Sequence, residues 1–400
     1  MEQLFSRLAN YENEMVEIRR HLHQNPELSF EEVETPAFIA AYHEKLGLEV
    51  RTEVGGRGVV ATLRGGKPGK TVALRADFDA LPIQEENDSP YKSKVPGVMH
   101  ACGHDGHTAT LLVLAKVLTE MKDGLEGNVV FIHQHAEELA PGGAIAMIED
   151  GCLDGVDVIY GTHLWATMST GTIGYRTGPV MAAADSFTIK VQGKGGHGAQ
   201  PHKTKDSIVI GAQLVSNLQQ IVSRRVNPLD AAVVSVGAFE AKNAFNVIAD
   251  TAKLTGTVRT FKEEVRVAIE EEIDRIAKGT CLASDASYEY VFKRGYPAVV
   301  NHKEDTEFVV DVARKVPGIV GLEEIEPQMG GEDYAYYLEK IPGTFFFTGA
   351  EDTSWEETYP HHHPKFKINE DALLIAANLL GAATLAYLKQ NAEKRVELTK

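Results

Sequence analysis

The first part of the chain alternates short runs of β-branched residues with stretches in which apolar residues have helical spacing. Strands are predicted at 58–63, 71–75, 128–132 and 156–162, with a helix at 106–121. Strands that alternate with helices form parallel βαβ units, in which the helices cover the sheet. This part of the sequence therefore predicts an α/β domain.

A second block, from about residue 185 to residue 291, has a different order of elements. Strand, helix, strand, strand, helix and strand are predicted in turn at 186–191, 206–224, 232–239, 252–261, 263–277 and 287–291. This order is typical of a small α+β domain of the ferredoxin-like kind, with an antiparallel sheet. Helix and strand patterns then resume at 306–315, 344–348 and 371–388.

Together these patterns predict two domains, one inserted into the other. We expect a mixed, largely parallel α/β sheet with helices on both faces, built from residues 1–181 and 294–400, and an inserted α+β domain at 182–293. The length of 400 residues agrees with this division, because single hydrophobic cores stop growing near ~250–300 residues.

Net charge, apolar stretches and the cysteine count indicate which binding partners and which cellular compartment to expect. The chain carries 40 Lys+Arg against 57 Asp+Glu, a formal net charge of −17, whereas nucleic acids and anionic membranes select basic surfaces. Residues 1–20 are charged throughout, and the apolar stretch 372–388 is shorter than the ~20 residues that cross a bilayer. Three widely spaced cysteines suit a reducing compartment. We therefore expect a cytoplasmic protein that binds neither nucleic acid nor membrane.

Side chains of the metal-ligand types follow the predicted strands, where open α/β sheets place their sites. They are Asp77, Asp79, His100, Cys102, His104, Asp105, His107, His133, His135, Glu137, Glu138, His163, His361, His362 and His363. Each one alone has an ordinary explanation, such as a turn aspartate, a solvated acid pair or a buried cysteine. Their convergence on one edge of one sheet is what indicates a site.

The ligand types constrain the metal. Thiolate, imidazole and carboxylate together suit Zn²⁺ or a similar ion, whereas Mg²⁺ and Ca²⁺ prefer oxygen. There are more candidate ligand side chains than one ion needs, so two ions about 3.5–4 Å apart fit the pattern. Because Glu137 and Glu138 are consecutive, their side chains point in different directions. One of them can bind metal while the other faces the attacking water.

Two competing interpretations have less support. A cysteine nucleophile, Cys102 activated by His104, would leave the remaining ligand types unused. The glycine-rich stretch 193–198 lacks the Gly-Lys-[Ser/Thr] ending of a phosphate loop, so a nucleotide site is disfavoured. His197, placed among these glycines, is nevertheless well exposed for contact with a ligand.

Seven motifs occur in the order that a known family shows. They are RADFDALP at 75–82, MHACGHDGHT at 99–108, AEE at 136–138, GGH at 195–197, GTVRT at 256–260, GGED at 330–333 and HHP at 362–364. The chain resembles the co-catalytic metallo-amidohydrolases related to aminoacylase and glutamate carboxypeptidase. Within them it is similar to the branch of hippurate hydrolases, N-acetyldiaminopimelate deacetylases and auxin-conjugate hydrolases. The resemblance spans nearly the whole chain.

The resemblance implies a dinuclear metal site. Two divalent ions, Zn, Mn, Co or Ni, would be held by Cys102, His104, Glu138, His163 and His362. Cys102 would bridge the two ions. Glu137 would act first as the general base and then as the acid.

The resemblance also implies roles outside the ligand set. His197, on the inserted domain, would reach the active site of the partner in a homodimer or homotetramer, with the inserted domain acting as a lid. Asn246 and Arg259 would meet the substrate carboxylate. Asp77 and Asp105 would orient imidazoles and tune the basicity of the ligands.

Some positions depart from the family pattern or leave a choice. His135 and Ala249 each stand where the family usually has proline, and an extra imidazole at position 135 could alter metal ligation. His361 and His363 flank His362. We choose His362 as the ligand because it lies two residues before a proline, as in the family's His-x-Pro.

These features predict a metal-dependent amidohydrolase that cleaves a small N-acyl-L-amino acid to a carboxylate and a free amino acid. The metals would activate water and polarise the carbonyl group, Glu137 would move the proton, and His197 would stabilise the oxyanion. Two alternatives stay open: a dipeptidase or carboxypeptidase on the same scaffold, and a catalytically silent, metal-bound binding protein.

Overall fold

The computed structural model describes residues 1–398, with side chains as far as residue 394. The strands are β1 (Glu49–Val54), β2 (Gly58–Arg64), β3 (Lys67–Asp77), β4 (Glu126–Gln134), β5 (Val158–Ser169), β6 (Thr172–Tyr175), β7 (Gly178–Met181), β8 (Ala183–Gln192), β9 (Gly196–His197), β10 (Ala232–Glu240), β11 (Val247–Ile248), β12 (Thr251–Thr260), β13 (Ser287–Lys293), β14 (Val299–Asn301), β15 (Gly321–Glu324) and β16 (Gly343–Glu351). The helices are α1 (Glu2–Asn10), α2 (Glu12–Gln24), α3 (Glu34–Lys45), α4 (His104–Glu120), α5 (Ala144–Glu149), α6 (Ser207–Leu218), α7 (Glu263–Ala283), α8 (Lys303–Ala313), α9 (Ala335–Leu338) and α10 (Asp371–Leu398).

The chain divides into two compact units. The first unit comprises Met1–Val180, Val300–Glu326 and Asp333–Lys400, and the second comprises Met181–Val299 and Pro327–Glu332. Each unit contains a hydrophobic core of its own.

An eight-stranded sheet forms the centre of the first unit, in the order β1-β2-β4-β3-β5-β16-β6-β15. β3 pairs in parallel with β4 and β5, and β5 pairs in parallel with β16. These central strands are buried, as expected where helices cover a parallel sheet. The predicted mixed, largely parallel α/β fold is confirmed.

β2 differs from the parallel arrangement predicted for residues 58–63. It runs antiparallel to both of its neighbours, β1 and β4. Only Gly65 and Gly66 separate β2 from β3. A link of two residues reverses the chain, whereas a parallel crossover needs a dozen or more.

α10 contains the apolar stretch that was predicted to be a buried helix. Over Asp371–Lys394 it is long and apolar enough to span a membrane, with a mean hydropathy of 1.6, but 72% of its most apolar window is buried inside the protein. Gly381 lies against Leu4 and Leu114, where a Cβ atom would come within 3.0 Å of both side chains. This close approach is typical of a helix packed in a protein core, and the prediction is confirmed.

The second unit has the βαββαβ order that the sequence predicts. Its four-stranded sheet is antiparallel throughout, in the order β10-β12-β8-β13. Along β8 buried and more exposed side chains alternate, as in a sheet with one face in the core. α6 and α7 contribute Leu214 and Ile273 to that core. The side chain of Asp206 caps α6 by accepting the backbone N–H groups of Ile208 and Val209.

Two buried histidines face each other in the first unit. The Nε2 atoms of His43 in α3 and His133 in β4 lie 2.9 Å apart, and both rings are fully buried. Burial lowers the pKa of His43 to about 3. Burial, reinforced by His43, also lowers the pKa of His133 well below its usual range. The pair is therefore uncharged in the folded protein.

We expect this pair to make the fold sensitive to acid. A histidine whose pKa is depressed by folding stabilises the protein above its unfolded pKa, and this contribution is lost as the pH falls. In metal-free protein, His43→Leu should reduce the loss of unfolding free energy between pH 6.5 and 5.5 by about 1 kcal/mol, measured by urea denaturation. His21→Asn, at an exposed histidine, should leave that loss unchanged. A wild-type loss in His43→Leu would contradict the prediction.

Candidate metal centre

The predicted ligands are delivered by four segments of the first unit. Cys102 and His104 flank Gly103, whose φ of +92° makes the turn into α4 and is accessible to glycine at little cost. Glu138 lies in the loop after β4. His163 lies within β5, which continues past the predicted end at residue 162. His362 belongs to the loop before α10.

The structure brings these five side chains together. The ligand atoms of Cys102, His104 and His163 lie within 4.8 Å of one another, and so do those of Cys102, Glu138 and His362. Cys102 Sγ is 3.4 Å from His163 Nε2. Glu138 Oε2 is 3.2 Å from His362 Nε2, and Glu138 Oε1 is 3.8 Å from His104 Nε2. Cys102 is thus common to two ligand groups.

The donor set fits a divalent cation. His104 Nε2 and Glu138 Oε1 are both buried, and neither has a hydrogen-bond partner among the residues that the structure describes. Such buried polar atoms are costly unless something pairs with them. A cation between them would satisfy both, and a thiolate, imidazoles and a carboxylate are ligands that suit Zn²⁺ and related ions.

The electrostatics of the cluster also favour positive charge. Burial raises the pKa of the Cys102 thiol, and the neighbouring Glu138 and Glu137 raise it further. Burial alone would lower the pKa of His104, but Asp77, Asp79 and Glu138 outweigh it and raise this pKa to about 10. A thiolate at this position therefore needs a nearby cation.

Hydrogen bonds leave Nε2 as the ligand atom on two of the imidazoles. His104 Nδ1 donates toward Asp79, 3.0 Å from its carbonyl oxygen and 3.2 Å from Oδ1. His163 Nδ1 donates to the carbonyl oxygen of Leu164 at 2.9 Å. Contacts of this kind fix the tautomer and the orientation of metal-binding rings.

The three consecutive histidines have different environments. His361 Nε2 donates to the Leu164 carbonyl oxygen at 3.0 Å. His363 Nδ1 accepts the N–H of Lys365 at 3.0 Å. His362 has a φ of +65° and is the one that directs Nε2 toward Glu138. Among the three, the geometry thus favours His362 as the ligand.

Glu137 stands beside the ligand cluster. Its Oε2 lies 4.0 Å from His104 Nε2, and the residue is 6% exposed. The preceding residue in the same loop, Ala136, has a φ of +53°. The carboxylate is therefore close to the candidate metal position without being required as one of its five ligands.

The two predicted aspartates contact different imidazoles. Asp77 lies 3.7 Å from His104 Nε2 and 2.6 Å from His107 Nδ1. Asp105 contacts none of the five predicted ligands; its Oδ2 is 2.8 Å from Arg19 Nε and 2.8 Å from His23 Nδ1. His104 Nδ1 is instead oriented by Asp79.

Asp79 positions candidate ligands, although the sequence alone was equally consistent with a turn or cap residue. Its Oδ2 accepts the backbone N–H of Glu138 at 3.0 Å and the hydroxyl of Ser29 at 2.7 Å. Burial opposes the charged form, but the hydrogen bond from His104 outweighs it and lowers the pKa of Asp79. Its place two residues after Asp77, at the end of a buried strand, was the available signal.

His107 is a further support. Its Nε2 accepts the N–H of Leu164 at 2.9 Å, and its Nδ1 faces Asp77. Both ring nitrogens are therefore engaged. The ring links Asp77 to β5, and His107 is not among the five predicted ligands.

The two departures from the family pattern lie apart from the ligand groups. Within the described residues, no group able to hold a metal includes His135. The His135 ring packs edge-on against Phe30, and burial lowers its pKa to about 4. Ala249, in the second unit, is buried just after β11, which forms without the usual proline.

The remaining predicted residues belong to the second unit. His197 in β9 is exposed and pairs with Val247 of β11. Asn246 immediately precedes β11, and its carbonyl oxygen accepts the N–H of Gly198 at 2.8 Å. Arg259 in β12 donates to the Met329 carbonyl oxygen at 3.2 Å. His197 and Asn246 are thus neighbours, held by one short ribbon.

Comparison with known proteins gives concordant matches. Residues 73–386 match peptidase family M20/M25/M40. An N-acyl-L-amino acid amidohydrolase of Geobacillus stearothermophilus is 52% identical over 286 residues, 72% of this chain and 77% of that protein. Thermostable carboxypeptidase 2 of Saccharolobus solfataricus is 41% identical over 394 residues, 98% of this chain and 99% of that protein.

A solved structure agrees with the fold. A Bacillus subtilis protein described as a dinuclear metal binding peptidase from the M20 family superposes with a TM-score of 0.83 at 37% identity, covering 95% of this chain and 99% of that chain. The resemblance predicted from the seven motifs is confirmed, and so is the predicted enzyme class, a hydrolase. The chain belongs to peptidase family M20/M25/M40.

Proposed function

We propose that this chain is a metal-dependent amidohydrolase that cleaves small N-acyl-L-amino acids to a carboxylate and a free amino acid. The observation that carries the proposal is the convergence of Cys102, His104, Glu138, His163 and His362 with the Glu137 carboxylate beside them. The similarity to an N-acyl-L-amino acid amidohydrolase supports the substrate class. The cofactor is a pair of divalent ions, chosen from Zn, Mn, Co and Ni.

Bound divalent ions lower the pKa of water toward ~7 and polarise a carbonyl oxygen. The chain's own residues do the rest. Glu137 takes the proton of the attacking water and later gives it to the leaving amine, a role typically worth about 10²–10⁴-fold. Its buried position next to His104 keeps bulk water away from that transfer.

The second unit supplies the substrate contacts in this proposal. His197 donates to the developing oxyanion, where one donor is typically worth about 10²–10³-fold. Asn246 and Arg259 receive the substrate carboxylate. As the family resemblance implies, His197 serves the site of a second copy in a cytoplasmic homodimer or homotetramer. A monomer in gel filtration at the assay concentration would contradict this role in trans.

The proposal is tested by a substrate screen on metal-reconstituted protein. N-acetyl, N-benzoyl and N-succinyl amino acids are compared with dipeptides of the same C-terminal residue, and amine release is measured with and without a chelator. We expect chelator-sensitive hydrolysis with kcat/KM at least ~10-fold higher for the N-acyl series, a difference of about 1.4 kcal/mol in transition-state binding. Faster cleavage of dipeptides would favour the alternative of a dipeptidase or carboxypeptidase. The 41% identity to thermostable carboxypeptidase 2 supports that alternative. Metal binding without turnover would favour a binding protein.

A further inference from the structure

We infer that Glu32 is a positioning residue for the general base, acting through the backbone N–H of Ala136, the residue before Glu137. The inference rests on the proposed role of Glu137. Glu32 lies in the first unit, in the loop between α2 and α3, more than a hundred residues before the base in sequence. It touches neither the five candidate ligands nor any predicted substrate contact.

The contact is a single buried hydrogen bond. Glu32 Oε1 accepts the backbone N–H of Ala136 at 2.9 Å, and the Glu32 side chain is fully buried. Burying a carboxyl group is costly unless it is paired and hydrogen-bonded. The structure therefore places a carboxyl group that is costly to bury against the backbone N–H of Ala136, in the loop that carries Glu137.

The backbone at Ala136 is in a conformation that needs support. Ala136 has a φ of +53°, in the left-handed region that residues other than glycine rarely adopt. Such a backbone costs of the order of 1–3 kcal/mol and persists only where the surroundings enforce it. Because Glu137 is the next residue, the torsion angles at Ala136 set the direction in which the base points.

A second carboxylate holds the other side of the base. Asp79 Oδ2 accepts the N–H of Glu138 at 3.0 Å, so the two peptide N–H groups that flank Glu137 are each held by a buried acid. Ser29, in the same loop as Glu32, donates to Asp79 Oδ2 at 2.7 Å. The loop at residues 29–32 thus holds the backbone on both sides of Glu137, directly through Glu32 and indirectly through Ser29 and Asp79.

Glu32 is itself anchored. Arg57 Nη1 donates to the Glu32 carbonyl oxygen, and Arg57 Nε lies 3.9 Å from Oε2. Five residues before Glu32 in the chain, the backbone oxygen of Glu27 accepts the N–H of Ala80 at 2.8 Å, next to Asp79. These contacts hold the Glu32 side chain in place, with its acceptor oxygen facing the N–H of Ala136.

The test compares two substitutions of nearly equal size. Glu32→Gln keeps an oxygen that can accept the Ala136 N–H, whereas Glu32→Met fills the same space without an acceptor. Glu31→Gln and Glu31→Met, at the exposed neighbouring position, are the matched controls. For each variant we measure kcat, KM, bound metal per chain, thermal unfolding, and amide hydrogen exchange of the peptide covering residues 134–138.

We expect Glu32→Met to lower kcat by about 10–100-fold, since small misplacements of a catalytic group cost this much. KM and metal content should stay at wild-type values. Amide exchange at residues 136–138 should rise about tenfold, and exchange at residues 128–132 of β4 should not change. Glu32→Gln should stay within about threefold of wild type in kcat and exchange, because its acceptor is preserved.

Several results would overturn the inference. Wild-type kcat and exchange in Glu32→Met would show that the hydrogen bond does not position the base. A loss of metal in proportion to kcat would show that Glu32 supports the ligand set instead. A Gln variant as impaired as the Met variant would show that the charge, and not the acceptor, matters.

The two proposals can fail separately. If wild-type protein hydrolyses no N-acyl amino acid, the proposed function fails, and the exchange of the 134–138 peptide still decides whether Glu32 holds Ala136. If Glu32→Met does not fold, Glu32→Asp takes its place. That variant retains the charge but withdraws the oxygen by one methylene, so the same changes in kcat and exchange are expected.

Discussion

Replacing Glu137 by Gln should abolish turnover while leaving the metal content close to that of the wild type. Gln keeps the size of the side chain but offers no carboxylate to accept a proton, and general-base catalysis is typically worth about 10²–10⁴-fold in rate. Glu137 is not one of the five predicted ligands, so the candidate metal centre keeps its donors. Amine release from an N-acyl amino acid and metal per chain, by elemental analysis, are measured on the same preparation.

The neighbouring carboxylate provides the control. Glu138→Gln alters the residue whose oxygens approach His362 and His104, so we expect this variant to lose metal as well as activity. Wild-type turnover in Glu137→Gln would remove Glu137 from the role of base. Metal loss in Glu137→Gln equal to that in Glu138→Gln would make Glu137 a ligand.

The central strands could be predicted because strands that are buried on both faces have a recognisable apolar pattern in the sequence. The expected strands at 71–75 and 128–132 lie within β3 and β4, whose middle residues are buried. A strand covered on both faces is an uninterrupted apolar run, rich in β-branched residues. Such a run is recognisable without knowledge of its neighbours.

The edges of the same sheet could not be predicted in this way. β1 is largely exposed along its length, and β15 contains no buried residue. Strands of this kind are stabilised by pairing with a neighbour that is distant in sequence, so their local pattern resembles that of a loop. In the second unit, α6 ends at Leu218 although apolar spacing continued to residue 224, because a short turn of different helical geometry occupies Ile221–Arg225.

In the candidate site, residue types and motif order picked out five side chains that the structure brings together, but not the contacts around them. Asp105 follows His104 directly in α4, and consecutive helical residues point about 100° apart. The Asp105 side chain therefore turns toward Arg19 and His23, away from the metal cluster. Asp79 approaches His104 from a different strand end, a relation that exists only after β3 and α4 have packed together.

Glu32 illustrates the same limit more strongly. In the sequence it is one of two consecutive glutamates, and Glu31 is exposed while Glu32 is buried. Nothing in a local pattern separates the two residues. Only the fold shows which of them accepts the N–H of Ala136, the residue before Glu137. Contacts of this kind are therefore found only from the tertiary structure, whereas candidate ligands with distinctive chemistry can be picked out from the sequence.

Replacing Cys102 by Ala should remove metal from the whole centre and abolish activity with it. Cys102 belongs to both ligand groups, with His104 and His163 on one side and with Glu138 and His362 on the other. Losing an outer partner of a metal ligand typically costs about 10–100-fold in affinity, and loss of a ligand shared by two ions should exceed this. Metal affinity is measured by competition with a chromophoric chelator.

Cys152→Ala is the matched control, because Cys152 is also a buried thiol of the first unit but belongs to none of the candidate ligand groups among the described residues. Both substitutions delete one buried sulfur atom, so the cost of an internal cavity is similar in kind. Cys152→Ala should lower the unfolding temperature and keep the metal, whereas Cys102→Ala should lose the metal even at temperatures where it is folded. Full occupancy in Cys102→Ala would exclude a bridging thiolate and leave the Glu138 carboxylate and the three imidazoles as the whole ligand set.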